Sequence, residues 1–110
     1  MEFEWDENKN SLNSEKHKID FDFTSKIFND IKRIEWEDER AIYHEQRFIT
    51  IGTAANAIIT VVYTIRNTVT RIISARTAKK QERNLYNNQI LKNRTNENKL
   101  ENGIGFTQKQ

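Results

Sequence analysis

Apolar and polar residues alternate from the start of the chain. Phe3 and Trp5 are interleaved with Glu2 and Glu4, the period-two signal of a short half-buried strand. Asp6 follows as an N-cap, predicting a helix through Asn13 or His17. Apart from Leu12 this helix has little apolar character and belongs on the surface; Lys9, Asn13 and His17, four apart, share one of its faces. Asp20 is a second N-cap. Phe21, Phe23, Thr24, Ile27 and Phe28 then recur at three- and four-residue spacings, an apolar stripe on a short helix ended by Asn29 and Asp30. So bulky a set is core material. Ile34 and Trp36 alternate with Arg33 and Glu35 to give a second strand, and the acidic run Glu35 to Arg40 reads as a solvated loop or strand end.

From Arg47 the pattern is β-rich. Arg47 to Ile51 predicts a strand broken by Gly52, and the turn TAAN leads into AIITVVYT, Ala57 to Thr64. That nearly continuous β-branched run is the strand expected at the centre of a sheet, buried on both faces. Arg66, Asn67 and Thr68 make a tight connection, and Thr70 to Ser74 returns as the next strand. Two successive hairpins imply an antiparallel meander. A last helix is expected from about Thr77 to Leu91, with Ala78, Leu85, Tyr86 and Ile90 inward and Lys79, Lys80 and Arg83 outward. The fold class expected is α+β: a small antiparallel sheet with N-terminal helices and a C-terminal helix. Residues 1–91 form one domain and 92–110 a polar, mobile tail.

Composition narrows the chemistry. With no Cys there is no disulfide or thiolate, and two histidines, His17 and His44, are too few for a convincing metal site; no cofactor is expected. No apolar run is long enough to span a membrane, and the acidic opening MEFEWDENKN is unlike a signal peptide, so a cytoplasmic protein is expected. Charge is asymmetric. Residues 1–45 carry 13 acidic against 7 basic side chains, net −6, and residues 46–110 carry 11 basic against 3 acidic, net +8. A basic half is the footprint of nucleic acid or an acidic partner, unless the two halves neutralise each other on folding.

No GxSxG, P-loop, GxGxxG or HExxH pattern is present. What remains is a set of cations on a sheet, Arg47, Arg66, Arg71 and Arg76, with Lys16, His17 and the carboxylates Glu45 and Glu82. Such a set can cleave RNA: the 2′-hydroxyl attacks the adjacent phosphate, a base takes its proton, an acid protonates the leaving 5′-oxygen, and arginines neutralise the transition state. Histidine is the natural acid or base near neutral pH. The plain alternatives are a surface histidine ending its helix and arginines serving as salt-bridge partners. Strict alternation puts Arg71 and Arg76 on opposite faces, so both reach one site only if the strand ends near Ser74 and the backbone turns.

Several segments together resemble the BrnT family of type II toxins, relatives of the RelE-like ribonucleases. They are FEWDENK (Phe3 to Lys9), NSEKH (Asn13 to His17), IDF (Ile19 to Phe21), Glu45 and Arg47 with Phe48, Gly52, VVYT (Val61 to Thr64), and RIISARTA (Arg71 to Ala78) with Glu82, Arg83 and Tyr86. The resemblance implies a RelE-like fold, metal-independent RNA cleavage that inhibits translation, and a cognate BrnA-like antitoxin of ribbon-helix-helix type, through which the complex binds operator DNA. Carried over onto matching positions, it implies roles for His17, Lys16, Arg47, Arg71 and Arg76, with Glu45 and Glu82 orienting those cations; His17, Arg47, Arg71 and Arg76 are the expected catalytic residues, and Lys16, with the outward-facing Lys18, Lys79 and Arg83, the expected substrate contacts. The family usually has Gly where Lys18 stands, a residue that resists the backbone conformations Gly permits. A non-catalytic nucleic-acid-binding or antitoxin-docking module is the alternative.

Overall fold

The computed structural model describes residues 1–40 and 44–102, with side chains described as far as Lys92. The expected α+β class holds. The elements run β1 (Phe3–Glu4), α1 (Glu7–His17), α2 (Phe21–Ser25), a 3-10 turn (Lys26–Asn29), β2 (Ile34–Glu37), β3 (Phe48–Ala54), β4 (Ala57–Arg66), β5 (Val69–Thr77) and α3 (Lys80–Asn102). Both predicted N-caps form: Asp6 accepts from the backbone of Asn8 and Lys9, and Asp20 from that of Phe23. Lys18 ends α1 in the left-handed region at φ 61°. A glycine suits that position and lysine bears the steric cost there.

The sheet order is β1-β5-β4-β3-β2, with β4 central as expected. The meander from β2 to β5 is antiparallel, but β1 adds parallel to β5, so the sheet is mixed rather than purely antiparallel. Its two hairpins turn on Ala55–Asn56 and Asn67–Thr68, all four at positive φ, the two-residue geometry whose twist matches paired strands. Gly52 does not break β3, which continues to Ala54. A Cβ there would lie 3.1 Å from the Cβ of Arg33 and 3.2 Å from the carbonyl oxygen of Ile27, so the glycine lets the 3-10 turn press against the strand.

One face of the sheet is closed. Phe21 and Ile27 pack on Ile59, Val61, Ile72 and Ala75, with Phe3, Trp5, Phe23 and Phe28 around them. Each fully buried side chain of this kind contributes about 1.5–3 kcal/mol. Tyr63 and Tyr86 are buried as well. Tyr86 binds Asp30 and Thr53, fastening α3 to the end of β3. Burial raises the Asp30 carboxyl, but hydrogen bonds from Tyr86, Thr53 and the Lys32 amide outweigh it, and its pKa falls below the ordinary value. Three further expectations are corrected. Leu85 points outward and is exposed, whereas Ala78 and Tyr86 face inward as predicted. Asp38, expected in a solvated stretch, is buried and holds Arg40 in two hydrogen bonds of 2.8 and 2.9 Å. Helix α3 passes the expected end at Leu91 and runs to Asn102, since no glycine or proline interrupts the chain between Gly52 and Gly103. The rest of the expected tail, 103–110, lies outside the described residues.

Candidate active site on the open sheet face

Strand β5 does not end near Ser74; it runs to Thr77, and Arg76 belongs to the strand rather than to the mouth of the helix. The alternation problem is solved differently. Val62 pairs with Ser74 and Tyr63 with Ile72, so Ile73 is an extra residue with no partner in the ladder, a β-bulge. One inserted residue reverses the alternation beyond it. Arg71 therefore pairs with Thr64 and Arg76 with Thr60, and both project from the open face. The register builds rows across that face. Arg76, Thr60, Ile51 and Ile34 form one, and Ser74, Val62, Ile49 and Trp36 the next. Glu4, Arg71 and Thr64 form a third. Arg71 and Arg76 share a face but stand four residues apart along β4, about 13 Å at roughly 3.3 Å per residue.

The best-built corner surrounds Arg76. Its two terminal nitrogens donate to the two oxygens of Glu82 at 2.7 and 2.8 Å, a fork-to-fork pair. Glu82 also accepts from Thr60 Oγ1 at 3.0 Å and from the backbone N–H of Lys79 at 2.8 Å. The second contact is a side chain in the first turn of α3 reaching back to the residue before the helix, half of a capping box. Arg76 is the largest influence on Glu82, whose pKa is lowered to about 2. In return the carboxylate raises the pKa of Arg76. A group so acidic is a poor proton acceptor near neutral pH; Glu82 positions the arginine. Arg40, Ile49, Thr60, Val62, Ser74, Arg76 and Glu82 enclose a pocket of about 150 Å³.

A second hollow, of about 250 Å³, lies on the other side of Ser74. Lys9, Leu12, Asn13, Lys16 and His17 of α1 line it with Ile73 and Ser74. Asn13 fixes the helix there. Its Oδ1 accepts from the backbone of Ala75 at 3.1 Å and its Nδ2 donates to the carbonyl of Ile19 at 2.9 Å. The shared helix face of Lys9, Asn13 and His17 thus faces the bulge, and Lys16 and His17 come beside Ser74.

Of the remaining sequence-predicted residues, all but Lys79 contribute nothing to this corner. Glu45 binds Arg66 at 2.9 and 3.2 Å and stands 3.6 Å from Arg47; Glu45 and Arg47 line a different cleft, with Glu37, Asp38 and His44. Arg71 pairs with Glu4 at 3.1 Å. Lys18 turns its ammonium to the carbonyl of Glu15, and Arg83 donates to that of Ala78. Lys79 is exposed and meets Glu82 through its backbone. Sequence reasoning missed Arg40, Thr60 and Ser74. Thr60 and Ser74 were legible only as strand residues, and their meeting depends on the register and the bulge. Arg40 lies in the acidic run expected to be solvated, and its bond to the buried carboxylate of Asp38 marks it.

These features define a small α+β protein whose open sheet face carries arginines held by carboxylates. The chain belongs to the BrnT family: the model described as "Ribonuclease toxin, BrnT, of type II toxin-antitoxin system" matches residues 5–82. The matched span contains Lys16, His17, Glu45, Arg47, Arg71, Arg76 and Glu82. It is a family of ribonuclease toxins, each implying a cognate antitoxin. No curated protein sequence matches the chain. Among the described residues no helix is long and apolar enough to cross a membrane.

Proposed function

We propose that the protein is a metal-independent endoribonuclease acting in the cytoplasm, whose cleavage of RNA inhibits translation until a BrnA-like ribbon-helix-helix antitoxin binds it. The observation that carries this is the pair of hollows divided by Ser74. One has Arg40 and Arg76 with the hydroxyls of Thr60 and Ser74, and the other has Lys16 and His17. The scissile phosphate sits in the arginine corner, where fixed guanidinium N–H groups stabilise charge building on its oxygens. The 2′-oxygen attacks phosphorus as a base takes its proton, and the P–O5′ bond breaks as an acid protonates the 5′-oxygen. The products are a 2′,3′-cyclic phosphate and a 5′-hydroxyl, with no water consumed. His17 is the acid–base residue; Glu82 holds Arg76, and Arg71 and Arg47 bind flanking phosphates. Lys18, Lys79 and Arg83 add cationic charge around the site.

The test is incubation of RNA with the free protein in EDTA. Cleavage with cyclic phosphate ends is expected, and intact RNA at high protein concentration rejects the proposal. In bacteria, induced expression arrests growth, and folded Arg76→Ala or His17→Ala variants relieve the arrest; if both arrest growth like wild type, the site is wrong. One observation favours a second reading, docking without cleavage: Arg66, Arg71 and Arg76 already hold carboxylates. Its outcome is tight binding to a small partner protein and no nucleic-acid affinity in the free protein.

A further inference from the structure

We propose that the hollow between α1 and the bulge of β5 is a nucleotide subsite, taking the nucleotide next to the scissile phosphate from single-stranded RNA, with its base on Leu12 and Ile73 and its own phosphate at Lys9. This rests on the ribonuclease reading of the neighbouring pocket. Three observations carry it.

First, the hollow adjoins the arginine pocket: Ser74 lines both. A strand whose phosphate lies against Arg76 has this hollow as its next position. Second, the lining is split in character. Leu12, two-thirds exposed on a largely polar helix, and Ile73, which the bulge removes from the ladder, supply an apolar surface. Lys9, Lys16 and His17 supply charge, and among the described residues no acidic side chain lines the hollow. An apolar floor with a cationic rim suits a flat base joined to an anionic backbone. Third, the base must be unpaired. A hollow set between a helix and a strand edge admits a splayed-out base, whereas the bases of an A-form duplex stay stacked inside the helix. Lys9 and Leu12 belong to no role assigned above. The bulge thereby does two things: it brings Arg76 onto the open face and presents Ile73 to the substrate.

Binding is measured with the full-length protein and a short RNA made uncleavable by 2′-deoxy sugars, so the result does not depend on catalysis. Lys9→Ala is expected to weaken binding several-fold at low salt and to reduce the slope of log affinity against log salt by about 0.7, the value for one lost phosphate contact on a single strand. Leu12→Ser is expected to weaken binding about three- to tenfold with the salt slope unchanged, because it removes base contact and no charge. An RNA lacking the base at that nucleotide should bind wild type more weakly, yet bind wild type and Leu12→Ser equally. Wild-type affinity and slope in both variants overturn the subsite, even if the protein cleaves RNA. If the variants behave as expected but wild type never cleaves RNA, the subsite stands and the ribonuclease reading falls. Leu12 is exposed, so Leu12→Ser folds, and circular dichroism checks this.

Discussion

The two faces of one sheet have divided labour. On the closed face Ile59, Val61, Ile72 and Ala75 are almost fully buried under α2 and the 3-10 turn, and their contribution is the transfer of apolar area from water. On the open face the same strands present Thr60, Ser74, Arg71 and Arg76, and the contacts there are directional: fork-to-fork pairs, hydroxyl bonds and a helix cap. The division teaches that a 110-residue chain with a small core can carry a charged site by building it on the backs of core strands. Strands held rigid on one side fix side chains on the other better than a loop does. Arg71 and Arg76 are each kept in place by a carboxylate from another element, so ion pairs order the cations of the open face, while Ile49 and Ile51 in the same rows are buried apolar residues.

Substitutions on the two faces should therefore fail in different ways. The largest effect is expected from Phe21→Ala, which empties a fully buried site on the closed face. Urea unfolding should show a loss of about 3–5 kcal/mol; a loss below about 1 kcal/mol would mean that the core lies elsewhere. Next comes Arg76→Ala, for which RNA cleavage should slow by about 10²–10³-fold. Arg76→Lys should stay slow because it keeps the charge but loses the planar fork. Full activity in the lysine variant would show that charge alone suffices.

The third prediction concerns pH. The Glu82 carboxyl is held at about 2 in the folded protein, against an ordinary 4.5. A depressed folded-state value means that the unfolded chain binds the proton more readily. The stabilisation is therefore complete above about pH 4.5 and is lost as pH falls towards about 2; its size is on the order of 2–3 kcal/mol. Glu82→Gln should be less stable than wild type at neutral pH, and the gap should close in acid. A gap that does not change with pH would remove the ion pair from the account. The smallest effect is expected from Lys18→Gly, which relieves the left-handed conformation at the end of α1 and should raise stability by up to about 1 kcal/mol. A thermal melt that moves downward would show that the Lys18 contact with Glu15 outweighs the backbone cost.

The sequence was enough for whatever depends on near neighbours. Asp6 and Asp20 cap helices because their side chains lie beside backbone N–H groups two or three residues on. The β-branched run Ala57 to Thr64 is central because only a strand buried on both faces has use for it. The segments that resemble the family were enough to place the chain in it, and the family match covers residues 5–82. Tertiary structure decided what depends on register and on partners distant in the chain. Alternation alone put Arg71 and Arg76 on opposite faces, and a single unpaired residue, Ile73, joined them; a bulge has no local sequence signature here. Gly52 read as a strand break because its cause, the 3-10 turn Lys26–Asn29 pressing on it, comes from a segment well separated in the chain. Arg40, Thr60, Ser74, Arg76 and Glu82 come from four separate stretches, and only the paired strands and the capped start of α3 bring them to one pocket. Period and capping are properties of a few consecutive residues and can be read from them. A site made by register is a property of the assembled sheet.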